Sequence, residues 1–330
     1  MTAIKKYIIK RLLFLIPVLL GVSFITFGLM YISPSDPAEM MLTAQGVPVD
    51  PEILASVQAR LGLDKPFFTQ YLTWLGNFVR GDLGMSYVNN EPVIDMLGRA
   101  LPTTLKLTVY SCLLTMAVAV PLGILSAVKA NKATDFIIRV CTFMGVSIPG
   151  FFLALLLMYF FSIRLKVLPV MGGDTWKGML LPTVTLSAAM ICKYIRQIRA
   201  AVLEELNKNY VKGARARGVK ERVVLLANVL KNSMLTIVTL IAMSIGSLLG
   251  GTAVVERIYS LQGMGNVVLS AISSRDYPVV QGFVAWMALI FVVVNLAADI
   301  LYRVMDPRIR LQEEERGKKK KAEVSGGETS

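Results

Sequence analysis

Long apolar runs separated by short charged segments constrain this chain more than any other feature. Six runs of roughly 20 mostly apolar residues, the length that crosses ~30 Å of hydrocarbon, lie near residues 12–32, 103–128, 136–163, 179–195, 233–255 and 279–301. Of the 330 residues, 55% are hydrophobic and only 17% are charged. The pattern predicts an all-α membrane protein with six transmembrane helices.

The distribution of basic residues predicts the orientation of these spans. With residues 1–11 as a cytoplasmic N-terminus, the inner segments hold 25 Lys and Arg and the outer segments hold 9. Because cytoplasmic segments are enriched in basic residues, both termini are expected in the cytosol. The net charge of +13 is then a topology signal that also attracts anionic lipid, and it does not indicate nucleic-acid binding. The first run, 12–32, is too long for a signal peptide and is expected to remain as a span.

The segment 33–100 is too long for a connection and too polar for a span, so it is expected to form a small extracytoplasmic helical insertion. Asp50-Pro51 is a helix start and Gly62 a helix end. A second pattern, from Phe67 to Phe78, is apolar on one side and rich in aromatic residues. It predicts a helix resting at the lipid headgroups or a contact surface at a pore mouth.

The segment 204–231 is a strongly basic, part-amphipathic loop between two spans. An apolar stripe at helical spacing, Leu203, Leu206, Tyr210 and Ala214, predicts one short helix whose stripe is buried against a cytosolic partner. Gly218 is expected to take the left-handed conformation that ends such a helix, and a new helical pattern follows it.

Several kinds of chemistry are disfavoured by what the sequence lacks. The chain has no histidine, and its three cysteines lie in apolar runs, where packing is the simpler reading. No P-loop motif occurs, so ATP hydrolysis would need other subunits. Apart from the basic residues counted with the cytoplasmic segments, the charged residues within the spans are Lys106, near one end, and Asp299, at i−4 from Arg303. A lone membrane aspartate argues against an aspartyl protease. The fifth span has a flat face for a neighbouring helix or a second subunit, formed by Gly246, Gly250 and Gly251.

The order and spacing of several blocks resemble the permease subunits of oligopeptide and dipeptide ABC importers, whose relatives include nickel transporters. The blocks are LGLDKP at 61–66, GDLG at 81–84, Ile148-Pro149, Leu181-Pro182, Val255-Glu256, GMG at 263–265 and RDYPVVQG at 275–282. The segment around Gly218 is similar to the family's signature loop, with Lys212 at a nominally acidic position. The resemblance covers nearly the whole chain.

The resemblance implies a type I ABC importer permease fold, with residues 101–310 as the core domain and 311–330 as a disordered cytoplasmic tail. It implies ATPase coupling through the central loop by Glu205, Tyr210, Ala214, Arg215, Ala216, Arg217 and Gly218. It also implies binding-protein or outer-gate contacts by Glu256, Tyr259, Gly263, Gly265, Asp276 and Tyr277.

The partners that the resemblance implies are a second homologous permease, two ATP-binding cassette ATPase subunits and an extracytoplasmic solute-binding protein. ATP and Mg²⁺ would bind to the ATPase subunits, with no cofactor, metal or catalytic site on this chain. Peptide is the expected cargo, and nickel, glutathione and oligosaccharide are alternatives. An ion-coupled carrier working alone is the rival class, although no internal repeat is visible.

Overall fold

The structure, a computed structural model, describes residues 2–33 and 36–305, and its regular elements are helices. In chain order these are α1 (Thr2–Tyr31), α2 (Pro37–Ala44), α3 (Pro51–Leu61), α4 (Phe67–Val79), α5 (Val93–Val128), α6 (Ala133–Ser147), α7 (Gly150–Leu157), α8 (Trp176–Leu206), α9 (Asn209–Ala216), α10 (Glu221–Val223), α11 (Lys231–Ile258), α12 (Met264–Ser273) and α13 (Tyr277–Met305). Two π-helical stretches, Met158–Arg164 and Val224–Leu230, continue α7 and α10. The all-α prediction is confirmed. The tail 311–330 lies outside the described residues.

Each predicted apolar run coincides with helix: α1, α5, α6 with α7, α8, α11 and α13. Within the described part of the chain, three helical segments are long and apolar enough to cross a membrane: Val93–Val128, Trp176–Leu206 and Tyr277–Ala297. A bent pair, α6 with α7, makes a fourth if it is one span. The count of six spans stays a prediction.

The third run, 136–163, is not one straight helix, contrary to the simplest reading of its length. Its two halves meet at an angle of 98°. Ile148 takes an extended conformation, with φ −82° and ψ 121°, and Pro149 precedes the first turn of α7. Proline disfavours the helical conformation in the residue before it and has no N–H for the helical ladder, so α6 ends here.

The centre of the bundle is built by α5, α8 and α11. Gly123 of α5 lies so close to α8 that an added Cβ would meet Ile198 at 2.8 Å. The small face of α11 is partly used inside the chain, because a Cβ on Gly246 would meet the Phe291 ring of α13 at 2.7 Å. Gly250 would meet no heavy atom within 4 Å and stays open.

The segment after α1 folds into α2, α3 and α4, and α5 begins at Val93, before the predicted boundary at residue 100. The α3 prediction is confirmed: the Asp50 side chain accepts from the Glu52 N–H at 2.9 Å, and Gly62 ends the helix with φ +71°. The aromatic side of α4 packs on α1, with the Tyr71 ring 5.3 Å from Phe24. Part of that side therefore meets α1, while Phe68 and Leu72 stay exposed, and the position of α4 at the lipid headgroups stays a prediction. The extracytoplasmic placement of this segment stays a prediction.

Candidate functional site

The central loop folds around the short helix α9, which follows directly on α8. The predicted single short helix is wrong in its bounds: Leu203 and Leu206 belong to the end of α8, while Tyr210 and Ala214 belong to α9. The break has a local cause. Asn207 caps α8, and Lys208 then takes an extended conformation with φ −69° and ψ 150°.

One side of α9 is buried in this chain. Val211 and Ala214 are 0% and 3% exposed, and both join an apolar cluster with Val202 of α8 and Val224 after α10. Ala214 is thus covered by its own chain, which corrects the expectation that the apolar stripe is buried against a partner. Val211 was missed, although its position three residues before Ala214 places it on the same helix face.

The other side of α9 is exposed and basic. The exposed residues of α9 and of the turn after it include Tyr210, Lys212, Arg215, Ala216, Arg217 and Gly218. The Tyr210 hydroxyl donates to Glu205 Oε2 at 2.7 Å and accepts from Asn232 Nδ2 at 3.0 Å. These bonds join α9 to the end of α8 and the start of α11, so the exposed side is presented on a fixed frame.

The turn after α9 is held by an ion pair and a glycine. Arg215 Nε and Nη2 donate to the two Glu221 carboxylate oxygens at 3.0 and 2.5 Å. This hydrogen bond lowers the pKa of Glu221. Gly218 has φ +74°, as predicted for a residue that ends the helix. Arg217, by contrast, has no ion pair among residues 2–33 and 36–305.

A buried polar junction lies at the other end of α11, where α11 turns into α12. Glu256 is 0% exposed. Its carboxylate accepts from the Thr104 hydroxyl of α5 at 2.7 Å and from the Asn266 N–H at 3.0 Å. The Thr104 oxygen in turn accepts from the Met264 N–H at 2.8 Å. These bonds fasten the start of α12 to both α5 and α11.

Two glycines allow this close junction. A Cβ on Gly263 would lie 2.4 Å from the Glu256 carboxyl carbon, and a Cβ on Gly265 would lie 2.4 Å from Ala253 Cα. Real Cβ atoms do not approach other heavy atoms so closely, so larger residues would push α12 away.

The remaining predicted outer residues are also largely internal. Tyr259 is 1% exposed, and its hydroxyl bonds with Thr185 at 2.9 Å and with the Ala154 carbonyl at 3.1 Å. Asp276 is 2% exposed and accepts from the Ser86 hydroxyl and, at 3.1 Å, from the Tyr87 N–H. It therefore connects the segment before α5 to the loop between α12 and α13.

Two tyrosines lie beside that loop. Burial, reinforced by the Asp276 carboxylate, raises the pKa of Tyr87 to about 12. Tyr277 is half-buried at the first turn of α13. Contact with a binding protein stays a prediction for all six of these residues: Glu256, Tyr259, Gly263, Gly265, Asp276 and Tyr277. In this chain most of them are buried beneath the surface.

The ionisable residues predicted inside spans have different outcomes. Lys106 Nζ lies 2.9 Å from Asp174 Oδ1, an exposed ion pair that the sequence did not indicate. The side chains of Asp299 and Arg303 lie outside the described residues.

The sequence analysis also missed Asp135, which is buried at the start of α6 and paired with Arg199 of α8. Among the described residues, no three His, Cys, Asp or Glu side chains are grouped to hold a metal.

A helical bundle of membrane-spanning length, with an exposed basic helix at one end and a buried polar junction at the other end of α11, is typical of a multi-pass membrane protein. The chain belongs to the family of binding-protein-dependent transport system inner membrane components: residues 119–311 match that family and residues 4–108 match its N-terminal region. It is therefore a permease component of an ABC importer, as the sequence resemblance implied.

Two curated relatives are similar over almost their full length. They are the glutathione transport system permease protein GsiC of Escherichia coli strain K12 and the metal-staphylopine import system permease protein CntB of Staphylococcus aureus strain NCTC 8325. Each is 37% identical over 92% of this chain and 98% of the relative. A solved structure of the methionine ABC transporter MetNI, in inward-facing conformations, matches with a TM-score of 0.57 and 17% identity over 64% of this chain and 97% of that chain. This last likeness concerns the fold alone.

Proposed function

We propose that this chain forms half of the translocation pathway of an ATP-driven peptide importer, and that α9 is the surface on which an ATPase subunit docks. The exposed basic side of α9 carries the proposal. Its inner residues, Val211 and Ala214, are buried in the chain's own core, so a displacement of the helix moves the bundle as well. Tyr210, Arg215, Ala216, Arg217 and Gly218 offer the contacts, and Glu205 positions Tyr210.

The orientation and partners follow from this role. The end of the bundle that carries α9 faces the cytosol, with both termini on that side, in a bacterial cytoplasmic membrane; the excess of basic residues in these segments supports this. Two ATPase subunits bind and hydrolyse ATP, and a second homologous permease completes the pathway. An extracytoplasmic binding protein delivers the cargo, and lipid covers the remaining apolar surface.

The cargo is a di- or oligopeptide. Similarity to permeases named for glutathione and for metal-staphylopine supports a small peptide or a metal complex, so glutathione and nickel remain alternatives beside oligosaccharide. A panel of labelled dipeptide, tripeptide, glutathione, oligosaccharide and Ni²⁺, offered to the reconstituted transporter with its binding protein, separates these cargoes.

Dependence on the ATPase tests the class of transporter. In proteoliposomes that hold both permeases and both ATPase subunits, ATP is expected to drive accumulation of the panel member that is imported fastest. Omitting the ATPase subunits is expected to abolish it. Cysteine placed at Ala216 is expected to cross-link to an ATPase subunit, whereas cysteine at Ser260, near the opposite end of α11, is the matched control and should not. Accumulation without the ATPase subunits would indicate an ion-coupled carrier.

The outer surface of the junction is the proposed contact for the binding protein. Arg257, Ser260 and Gln262 are exposed around the buried Glu256 and Tyr259, so they can make the contact that the buried side chains cannot. Cysteine at Ser260 or Gln262 is expected to cross-link to the binding protein during transport, and cysteine at Ala216 should fail to do so. Capture of the binding protein from neither outer position would exclude this surface.

A further inference from the structure

Asp135, near the start of α6, is a fully buried carboxylate with four hydrogen-bond donors. Its side chain is 0% exposed. It accepts from the Ser126 hydroxyl at 2.6 Å, from the Asn131 N–H at 2.9 Å, and from Arg199 Nε and Nη2 at 2.7 Å each. The donors come from α5, from the turn after α5, and from α8, so one side chain joins three helical elements.

The bond to Arg199 has a geometry that fixes orientation as well as distance. Two parallel N–H groups of the guanidinium meet the two carboxylate oxygens, an arrangement more directional than a single point contact. The Arg199 side chain is only 20% exposed. A second cation, Arg139, lies farther away, with its Nε 3.8 Å from Asp135 Oδ2 and its side chain 49% exposed. Arg199 is therefore the principal cationic partner of Asp135.

This cluster lies next to a close contact between α5 and α8. Gly123, whose added Cβ would meet Ile198 at 2.8 Å, lies one turn before Ser126 on α5, and Ile198 directly precedes Arg199 on α8. From Arg199, α8 runs two further turns to Leu206, and α9 begins three residues later. The polar cluster and the close helix contact thus lie together, a short distance from the helix that is proposed to receive the ATPase.

We propose that the Asp135–Arg199 pair is a clamp that fastens α5 and α6 to α8, so that a displacement of α9 moves the three helices as one body. The two residues are positioning residues for coupling, since they act through the helices that they join. Without the clamp, α8 still follows α9, but α5 and α6 follow incompletely. Hydrolysis then continues while fewer solute molecules cross. This inference rests on the proposed role of α9.

The number of ATP molecules hydrolysed per solute imported distinguishes a clamp from a merely stabilising ion pair. Loss of folded protein lowers uptake and hydrolysis together and leaves that ratio unchanged. Loss of the clamp lowers uptake while hydrolysis persists. Coupling between two sites in proteins commonly corresponds to about 5- to 150-fold changes, so the ratio is expected to rise about fivefold or more.

The test uses Asp135→Asn and Arg199→Lys in the complete transporter, with the panel member that the unsubstituted protein imports fastest. Asp135→Asn keeps the size of the side chain but removes its charge, and Arg199→Lys keeps a charge but loses the paired donors. Both are expected to raise the ratio, Asp135→Asn more strongly. Arg139→Gln is the matched control from the same cluster and should leave it unchanged. An unchanged ratio in both Asp135→Asn and Arg199→Lys, even with reduced uptake, overturns the clamp.

A failure of the clamp is distinguishable from a failure of the α9 proposal. If Arg217→Glu on the exposed side of α9 raises the ratio while both clamp variants leave it unchanged, only the clamp is wrong. If Arg217→Glu also leaves it unchanged, the coupling role of α9 falls and the clamp falls with it.

Discussion

Arg217→Glu is expected to raise the ATP hydrolysed per imported solute by about tenfold. The basic side of α9 suits an acidic surface on the ATPase subunit, so the new carboxylate would face like charges, and like charges brought together at a docking surface cost several kcal/mol. Arg217 follows α9 directly, is exposed, and has no ion pair among the described residues. The substitution therefore changes the docking side of α9 without breaking a contact that holds this chain together. The ratio is measured in proteoliposomes, and surface labelling checks that the variant reaches the membrane in normal amounts.

The control for Arg217→Glu is Lys129→Glu, which makes the same charge change at an exposed position after α5. Its ratio should stay near that of the unsubstituted protein. Arg215→Glu is a poorer probe, since it also breaks the bond to Glu221 and so disturbs the turn after α9. Equal ratios for Arg217→Glu and Lys129→Glu would remove the exposed basic side of α9 as the docking surface.

Gly263→Ala is expected to destabilise the protein by about 2 kcal/mol, within the range found when a methyl group is forced into a filled interior. The added Cβ would lie 2.4 Å from the Glu256 carboxyl carbon, whose oxygens hold Thr104 and Asn266. Either the carboxylate or the start of α12 must move, and both moves weaken these bonds. The midpoint of thermal unfolding in detergent measures the loss.

A double-mutant cycle isolates the cause of that loss. Glu256→Ala alone should also destabilise the protein, because it leaves the buried Thr104 hydroxyl and the partly buried Asn266 N–H without their acceptor. Combined with Gly263→Ala, it makes room for the new methyl group, so the pair is expected to cost less than the sum of the single changes. Gly173→Ala, where an added Cβ would meet no heavy atom within 4 Å, is the matched control. Simple additivity would show that the two residues do not share this space.

The elements governed by neighbours in sequence were predictable. Asp50, Pro51 and Gly62 carry the signals that begin and end α3, and the structure places the helix between them. The same holds for Gly218, where a positive φ is a local requirement. The long apolar runs predicted the positions of the long helices, because the thickness of the hydrocarbon layer sets the length of a span.

The features that depend on distant partners were not predictable from local patterns. Asp135 reads as an ordinary polar residue at the start of a helix until Arg199, 64 positions later, is brought against it. Glu256 likewise adjoins a span and reads as exposed, yet hydrogen bonds from Thr104 and Asn266 hold its carboxylate inside the protein. The bend before Pro149 has a local signal, the proline itself, but the continuous apolar character on both sides masked it.

The bend between α6 and α7 limits what can surround it in the assembled transporter. A helix end leaves its last carbonyl groups without donors from its own ladder. Hydrocarbon tails supply none, so irregular backbone at membrane depth is tolerated only against protein or water. Ser147, Ile148 and Pro149 are exposed in the isolated chain. If this bend lies within the bilayer, acyl chains cannot be its neighbours. It must then contact another subunit or border a hydrated passage.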